Sequence, residues 1–267
     1  MKRTVILLFA FLLSAGIVSA QTGGLSASKL GTYCTETVPA GAIEFEPAFN
    51  LSSSVSFFDS NGDVRDLFMS EDSTQYFSSL GLRFTYGLFE NFEAGISLPF
   101  DVSTLSAGVK YKLPLDIKPE FALMAGYNGI YGNNIYVKRD EVSESTSSVA
   151  FGIISTYEIS DKLSADFNAQ YQKHLNKTVA GHDRGYYVNT DIGYYLFENI
   201  NFIAGFYYLF RDHENPELDS YLFTFNPGIA VERAERFILV LNAPFDLFGK
   251  NEYKTKGFGL ALTILLN

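Results

Sequence analysis

Apolar and polar residues alternate along most of this chain with a period of two. In residues 43–57 the odd positions carry mainly Ile, Phe, Leu and Val, and the even positions carry Glu, Asn and Ser. Successive side chains of a β-strand point to opposite faces, so this alternation predicts a strand with one apolar and one polar face. The pattern therefore indicates an all-β protein from its first long segment.

The same alternation recurs until it accounts for twelve predicted strands. Most of them have the ~9–11 residues that a tilted strand needs to cross a bilayer. The predicted strands are 43–57, 76–88, 92–100, 105–113, 121–131, 149–159, 163–173, 186–196, 202–210, 221–231, 237–245 and 258–266.

The connections between these strands alternate in length. Tight turns are predicted at Phe89-Glu90-Asn91, Ser160-Asp161, Glu198-Asn199, Ala234-Glu235 and from Pro114 to Pro119. Longer polar loops are predicted at 59–73, 132–147, 174–185, 211–219 and 246–256. Short periplasmic turns and long extracellular loops are typical of outer-membrane barrels. We therefore predict an all-β, 12-stranded antiparallel up-and-down transmembrane β-barrel with both termini in the periplasm.

A soluble β-sandwich or a lipocalin-like barrel would also show alternation. The apolar face here is crowded with bulky side chains, since the chain has 25 Phe and 17 Tyr, and the other face is strongly polar. A soluble fold would have to place one of these faces in an unfavourable environment. In a membrane barrel, lipid contacts the apolar face outside and water contacts the polar face inside. The composition thus favours the membrane barrel and the outer membrane as its location.

The N-terminal segment has the features of a secretory signal peptide. Lys2 and Arg3 precede an apolar run, and Val18-Ser19-Ala20 offers a small-residue cleavage site before Gln21. The run is short for an uncleaved membrane anchor. We predict a cleaved signal peptide at 1–20, a periplasmic leader at 21–40 and the barrel at 41–267.

Charge and residue usage argue against several classes of function. The formal net charge of −10 disfavours nucleic acid as a partner. Cys34 is the single cysteine of the chain, and His174, His182 and His213 are too dispersed for a zinc site. We therefore predict no metal, no cofactor and no catalytic residues. A membrane-embedded lipid hydrolase is the weakest alternative, because no His shares a strand neighbourhood with an outward-facing Ser.

Charged residues with lumen-facing parity are the candidate functional residues. Opposite charges at similar height on neighbouring strands should attract where water is restricted. With Arg211 counted among the bases, the acids outnumber them, so a conducting lumen should prefer cations. The predicted cluster is Glu44, Glu46, Arg83, Glu93, Lys110, Lys112, Glu158, Asp166, Asp191 and Glu232. Alternatively, these residues could be paired wall charges that keep the lumen polar without a role in transport.

Small inward residues on the last strand leave room beside Glu44 and Glu46. That strand closes onto the first one, and its predicted lumen wall is Gly257, Gly259, Ala261 and Thr263. The resulting lopsided space is predicted to hold the solute path, or to be the docking groove for the leader if the barrel is plugged.

Three segments resemble a known family. They are Thr37 to Glu46, Tyr86 to Pro99 and Gly108 to Leu113, which fall within the leader and the first four strands. They are similar to the outer-membrane transporter family labelled for the meta-cleavage pathway of phenol degradation. The resemblance implies a barrel pore and uptake of small compounds, including aromatic ones. The alternative is a plugged structural or adhesive barrel. Either version has outer-membrane lipid, lipopolysaccharide and the barrel assembly machinery as expected partners.

Overall fold

The computed structural model describes residues 23–27, 29–69, 73–99, 104–130, 147–175, 182–233 and 236–266. The predicted signal peptide at 1–20, nearly all of the predicted loop at 132–147 and the turn at Ala234-Glu235 lie outside these ranges. Among the described residues, no helix is long and apolar enough to span a membrane.

The described chain folds into one antiparallel sheet that closes on itself. Its strands, in chain order, are β1 (Ile43–Phe58), β2 (Val64–Asp66), β3 (Gln75–Phe89), β4 (Phe92–Pro99), β5 (Thr104–Lys112), β6 (Glu120–Ile130), β7 (Ser148–Ser160), β8 (Leu163–His174), β9 (His182–Phe197), β10 (Ile200–His213), β11 (Ser220–Arg233), β12 (Phe237–Asn242), β13 (Phe245–Lys250) and β14 (Glu252–Leu266). Each long strand pairs with its neighbours in the sequence, and β14 pairs with β1 from Ile43 opposite Leu266 to Phe58 opposite Glu252.

The barrel wall contains twelve strand positions. Both β12 and β13 pair with β11 on one side and β14 on the other, so they form one wall strand interrupted at Ala243 and Pro244. The short β2 pairs with the end of β1 and occupies the same side as β3. The prediction of a 12-stranded antiparallel barrel is confirmed.

The prediction of a loop at 246–256 is wrong. This segment is β13, a turn at Asn251 and the start of β14, and Asn251 adopts a left-handed φ of 52°. Its Lys and Glu residues suggested a solvated loop, but they lie on strands whose backbone groups pair across the sheet. The last strand is correspondingly longer than the predicted 258–266.

The two faces of the wall differ as the alternation predicts. Large exposed hydrophobic side chains cover the outside, for example Phe84, Ile153, Phe202, Leu239 and Leu260. Buried polar and charged side chains point inward, because lipid surrounds the outside and the lumen supplies partners. A closed sheet with an apolar exterior is the structure of a transmembrane barrel, and it locates this protein in an outer membrane.

We call the two ends of the barrel the short-turn end and the long-loop end. The short-turn end carries the tight connections after β3, β7 and β9, and the long-loop end carries the longer connections such as that between β10 and β11. The structure contains a short 3-10 turn at Pro216–Leu218 within the latter connection, capped by the side chain of Asn215.

Candidate functional site in the barrel lumen

The segment that precedes β1 lies inside the barrel. We call residues 23–27 and 29–39 the leader. The leader begins against β4 and β5, crosses to β8 to β11, and returns past β6 and β7 to Pro39, whose carbonyl lies beside Gly87 of β3. The leader therefore fills part of the lumen near the short-turn end.

Apolar leader side chains cover apolar patches of the inner wall. Leu25 and Tyr33 pack in a buried cluster with Ala122 and Met124 of β6 and Ile154 of β7. Burying a Leu side chain contributes about 1.5–3 kcal/mol, so this contact helps to hold the leader in place.

A second patch lies farther around the wall. Leu30 packs against a buried cluster of Ile203, Ala230 and Val240, on β10, β11 and β12. Ala261 of β14, one of the small residues predicted to line the lumen, packs against the same cluster. The leader thus bridges much of the circumference with hydrophobic contacts.

Asp191 of β9 binds the leader backbone at its turn. The N–H groups of Leu30, Gly31 and Thr32 all donate to Asp191 Oδ2, at 3.0, 3.1 and 3.0 Å. The hydroxyl of Tyr207 donates to Asp191 Oδ1 at 2.9 Å. These four hydrogen bonds stabilise the buried carboxylate in place of water. Asp191 therefore has a fixed structural partner in the leader.

Lys29 forms the next contact along the leader. Its Nζ makes an ion pair with Asp166 Oδ2 of β8, while Thr156 of β7 donates to Asp166 Oδ1 at 2.7 Å. The two charged side chains are 5% and 0% exposed. Removing either partner would leave an unpaired buried charge, which is costly in a low-dielectric site.

Glu93 and Lys110 form the third polar contact, at the first part of the leader. Their side chains are fully buried and lie 3.1 Å apart. Ser26 and Val38 donate their backbone N–H groups to Glu93, each at 2.8 Å. Lys110 Nζ donates to the carbonyl of Cys34 at 3.1 Å and to Ser26 Oγ at 2.8 Å. This pair thereby joins both ends of the leader to β4 and β5.

Glycine residues allow the leader backbone to approach the wall. A Cβ added to Gly95 of β4 would lie 1.7 Å from the carbonyl oxygen of Gly24, and one added to Gly87 would lie 2.2 Å from that of Pro39. Gly24 itself has a φ of +86°, which glycine adopts readily. The contact between leader and wall at β4 is therefore made by backbone atoms.

The remaining part of the wall, formed by β1, β3 and β14, carries a separate charged cluster. Arg83 Nη2 of β3 donates to Glu44 Oε1 at 2.7 Å and to Glu46 Oε2 at 2.8 Å, and Thr263 of β14 also donates to Glu46. These three charged side chains are 11%, 14% and 17% exposed, whereas Glu93, Lys110 and Asp166 are fully buried. Closer to the long-loop end, Asn50 and Ser79 are exposed. Solvent therefore reaches this side of the lumen more than the side that the leader covers.

The other predicted lumen charges lie nearer the short-turn end. Lys112 pairs with Glu120 at 2.7 Å instead of with Glu93, and Glu158 forms an exposed pair with Lys118 at 3.3 Å. Glu232 of β11 accepts a hydrogen bond from Tyr195 at 2.6 Å.

The small residues of β14 are less open than the sequence suggests. Asn242 and Asn50 approach Gly259, and Ser52 and the carbonyl of Leu51 approach Gly257. These neighbours occupy much of the space that the missing side chains would leave.

Sequence reasoning missed the wall residues that bind the leader through apolar contacts. Met124, Ile154, Ile203 and Val240 have inward parity yet are hydrophobic, and this departure from the polar inner face was the available signal. The leader was expected in the periplasm or in a groove beside Glu44. It lies mainly against the opposite wall because Asp166, Asp191 and these hydrophobic patches are there.

Within the described ranges, no group of three or more His, Cys, Asp and Glu side chains converges as a metal site would require. The thiol of Cys34 is buried in the leader, where its Sγ lies 3.7 Å from the carbonyl oxygen of Glu36.

Comparisons with known proteins agree on the fold. The chain is similar to the crystal structure of an outer membrane channel from Pseudomonas putida F1, with a TM-score of 0.67, 14% identity, and coverage of 90% of this chain and 100% of that chain. It is also similar to the NanC porin, with a TM-score of 0.53, 7% identity, and coverage of 83% and 98%. No protein-family model matches the chain, and no curated protein matches it. The similarity covers most of the chain and shows that the fold is that of outer-membrane channels.

Proposed function

We propose that this protein is a passive outer-membrane channel for small molecules whose passage is narrowed by its own leader. The observation that carries the proposal is the asymmetry of the lumen. The leader covers the wall from β4 to β12 and contacts β3 only at Thr85 and Gly87, near the short-turn end, while Arg83, Glu44 and Glu46 stay partly exposed. The path then runs beside β1, β3 and β14.

The charges along this path pair at short range and leave one acid in excess. Arg83 contacts both acids, so the path combines a fixed charge cluster with neutral groups such as Asn50 and Ser79. Aromatic rings also face the lumen toward the long-loop end, where Phe77 and Tyr253 lie 5.4 Å apart. This surface supports passage of small compounds with aromatic or other hydrophobic parts. The label of phenol degradation remains a prediction from the sequence resemblance.

Recording in planar bilayers tests the channel. The purified full-length protein should give discrete conductance steps, and proteoliposomes that contain it should swell in solutions of small permeating solutes. The absence of both would contradict the proposal. The control is the same preparation after heat unfolding, which should give neither conductance nor swelling.

A plugged structural barrel is the second candidate, and the leader itself favours it. Its contacts with Asp166, Asp191 and Glu93 involve fully buried charged groups, so the leader is firmly held. Variants with weakened leader contacts distinguish the candidates. A channel narrowed by the leader conducts before the change and conducts more after it, whereas a sealed barrel conducts only after it.

We further propose an orientation and partners that fit this function. The short-turn end would face the periplasm, which returns both ends of the barrel chain to that side. The apolar exterior would contact outer-membrane lipid and lipopolysaccharide, and insertion would depend on the barrel assembly machinery. No observation favours the lipid hydrolase, because Ser148 and His174 are neighbours on the lumen side and share no hydrogen bond.

A further inference from the structure

A row of neutral side chains crosses the inner wall, against Gly23 of the leader at β4 and β5 and on the long-loop side of the leader at β6 to β8. Ser97 of β4, Ser106 of β5, Asn128 of β6, Ser148 of β7 and His174 of β8 are successive partners in the sheet register. All five have the same inward parity as the buried charges nearer the short-turn end. The row therefore presents hydroxyl, amide and imidazole groups to the lumen without a formal charge at neutral pH.

The second half of the row has an ordered hydrogen-bond network. Gln172 Nε2 donates to Ser148 Oγ at 2.6 Å, and Asn128 Nδ2 lies 3.4 Å from the same oxygen. The hydroxyl of Tyr187 donates to Gln172 Oε1 at 2.9 Å. The two shorter bonds fix the orientation of the Gln172 amide. Asn128 is held only by the 3.4 Å contact, so its amide can turn toward the lumen.

Two polar atoms of this network have no partner among the described residues. They are Asn128 Oδ1 and His174 Nδ1, and both are shielded from solvent. Native proteins usually satisfy buried polar atoms, because leaving such an atom without a hydrogen bond is destabilising. The two residues flank Ser148 in the register, which brings both unsatisfied atoms to one part of the wall.

The charged groups around this part of the wall cancel one another. Lys173 pairs with Asp183 at the end of β8, and Arg211 of β10 pairs with Glu252 of β14. A solute of either sign would therefore gain little net attraction here. A neutral solute that offers hydroxyl groups would satisfy the unpaired atoms without bringing a charge that needs a partner.

From these observations we propose a binding subsite for neutral, hydroxyl-rich solutes, of which simple sugars are the model, at Asn128, Ser148, Gln172 and His174. The proposal rests on the proposed channel function and adds a second class of solute, which binds on the wall of β6 to β8, apart from the path beside β1, β3 and β14. The side chains of Asn128 and His174 are partly exposed, so a turn of each side chain presents its unpaired atom to the lumen. One solute hydroxyl then donates to Asn128 Oδ1, and a second hydroxyl exchanges a hydrogen bond with His174 Nδ1, as donor or acceptor according to the imidazole tautomer.

Calorimetric titration of the detergent-solubilised full-length barrel tests the subsite. Glucose is the neutral probe, glucuronate is the charged probe of similar shape, and phenol is the aromatic probe. Saturable binding of glucose that exceeds the binding of glucuronate and phenol is expected. Glucose binding that is absent, or weaker than that of either other probe, would overturn the proposal.

Substitutions assign the binding to these residues. Asn128→Leu and His174→Phe should each weaken glucose binding by about fivefold to tenfold, the effect of losing a hydrogen bond worth roughly 1 kcal/mol. Asn128→Asp retains an acceptor oxygen and His174→Asn restores a polar atom near Nδ1, so both should bind glucose better than the apolar variants. Ser155→Ala removes a hydroxyl from the outer face of β7, where its register partner Phe167 is exposed, and should leave binding unchanged.

The same protein samples separate this proposal from the channel function. Heat-modifiable migration in gels verifies that each variant has a closed barrel. Conductance with unaltered glucose affinity in both apolar variants would reject the subsite and retain the channel. Glucose binding that depends on Asn128 and His174, in a barrel that never conducts, would retain the subsite and reject the channel.

Discussion

Lys29 of the leader and Asp166 of β8 form an ion pair inside the barrel, and neither side chain is more than 5% exposed. The pair connects the segment that precedes the first strand to a residue 137 positions later in the chain. Because both charges are removed from bulk water, the leader and the wall depend on each other at this point.

Lys29→Ala should loosen the leader and raise the conductance of the channel. The change leaves Asp166 buried without a cation, which costs about 3–5 kcal/mol in comparable sites. The measurement is the single-channel conductance, together with amide hydrogen exchange of the leader. Lys118→Ala is the matched control, since it breaks an exposed ion pair with Glu158 and should change neither value. Equal conductance of Lys29→Ala and the native protein would contradict this role of the pair.

The barrel could be predicted from the sequence because the pattern that defines each strand lies within the strand itself. Inward and outward faces alternate residue by residue, so the segment from Glu44 to Phe57 could be assigned without knowledge of its neighbours. The pairing of Glu44 and Glu46 with Arg83 also followed, since antiparallel neighbours of equal height have a defined register.

The leader could not be placed in this way. It has no strand periodicity, and its position depends on contacts with Asp191, Met124 and Val240, which are far apart in sequence. The interrupted strand at Pro244 was missed for a related reason. Polar residues after this proline indicate a loop, yet the backbone resumes its pairing with β11 at Phe245.

Gly95→Ala should displace the first part of the leader from the wall. The added Cβ would lie 1.7 Å from the carbonyl oxygen of Gly24, and backbone atoms cannot yield as a flexible side chain can. We expect higher conductance and faster proteolysis of the leader in Gly95→Ala. Gly81→Ala is the control, because the nearest atom to its added Cβ is 3.9 Å away. A leader that is as protected in Gly95→Ala as in the native protein would show that the contact is dispensable.

The orientation predicts which connections are accessible from outside intact cells. A protease site inserted after Asn61, in the connection that follows β1, should be cut. The same site inserted after Glu90, in the tight turn between β3 and β4, should be protected until the outer membrane is permeabilised. Gel analysis of the fragments is the measurement. External cutting after Glu90 with protection after Asn61 would mean that the barrel is inserted the other way.

The cluster of Arg83, Glu44 and Glu46 should control ion preference. Asp166 and Glu93 are neutralised by Lys29 and Lys110, so the acids beside Arg83 are the more accessible lumen charges. Arg83→Ala leaves Glu44 and Glu46 without their cation and should deepen the preference for cations, whereas Glu44→Gln with Glu46→Gln should weaken it. Reversal potentials under a salt gradient measure both changes. Glu158→Gln alters an exposed acid of the rim and serves as the control. Reversal potentials that match the native value in both lumen variants would show that ions pass elsewhere, and would remove the main support for a path beside β1, β3 and β14.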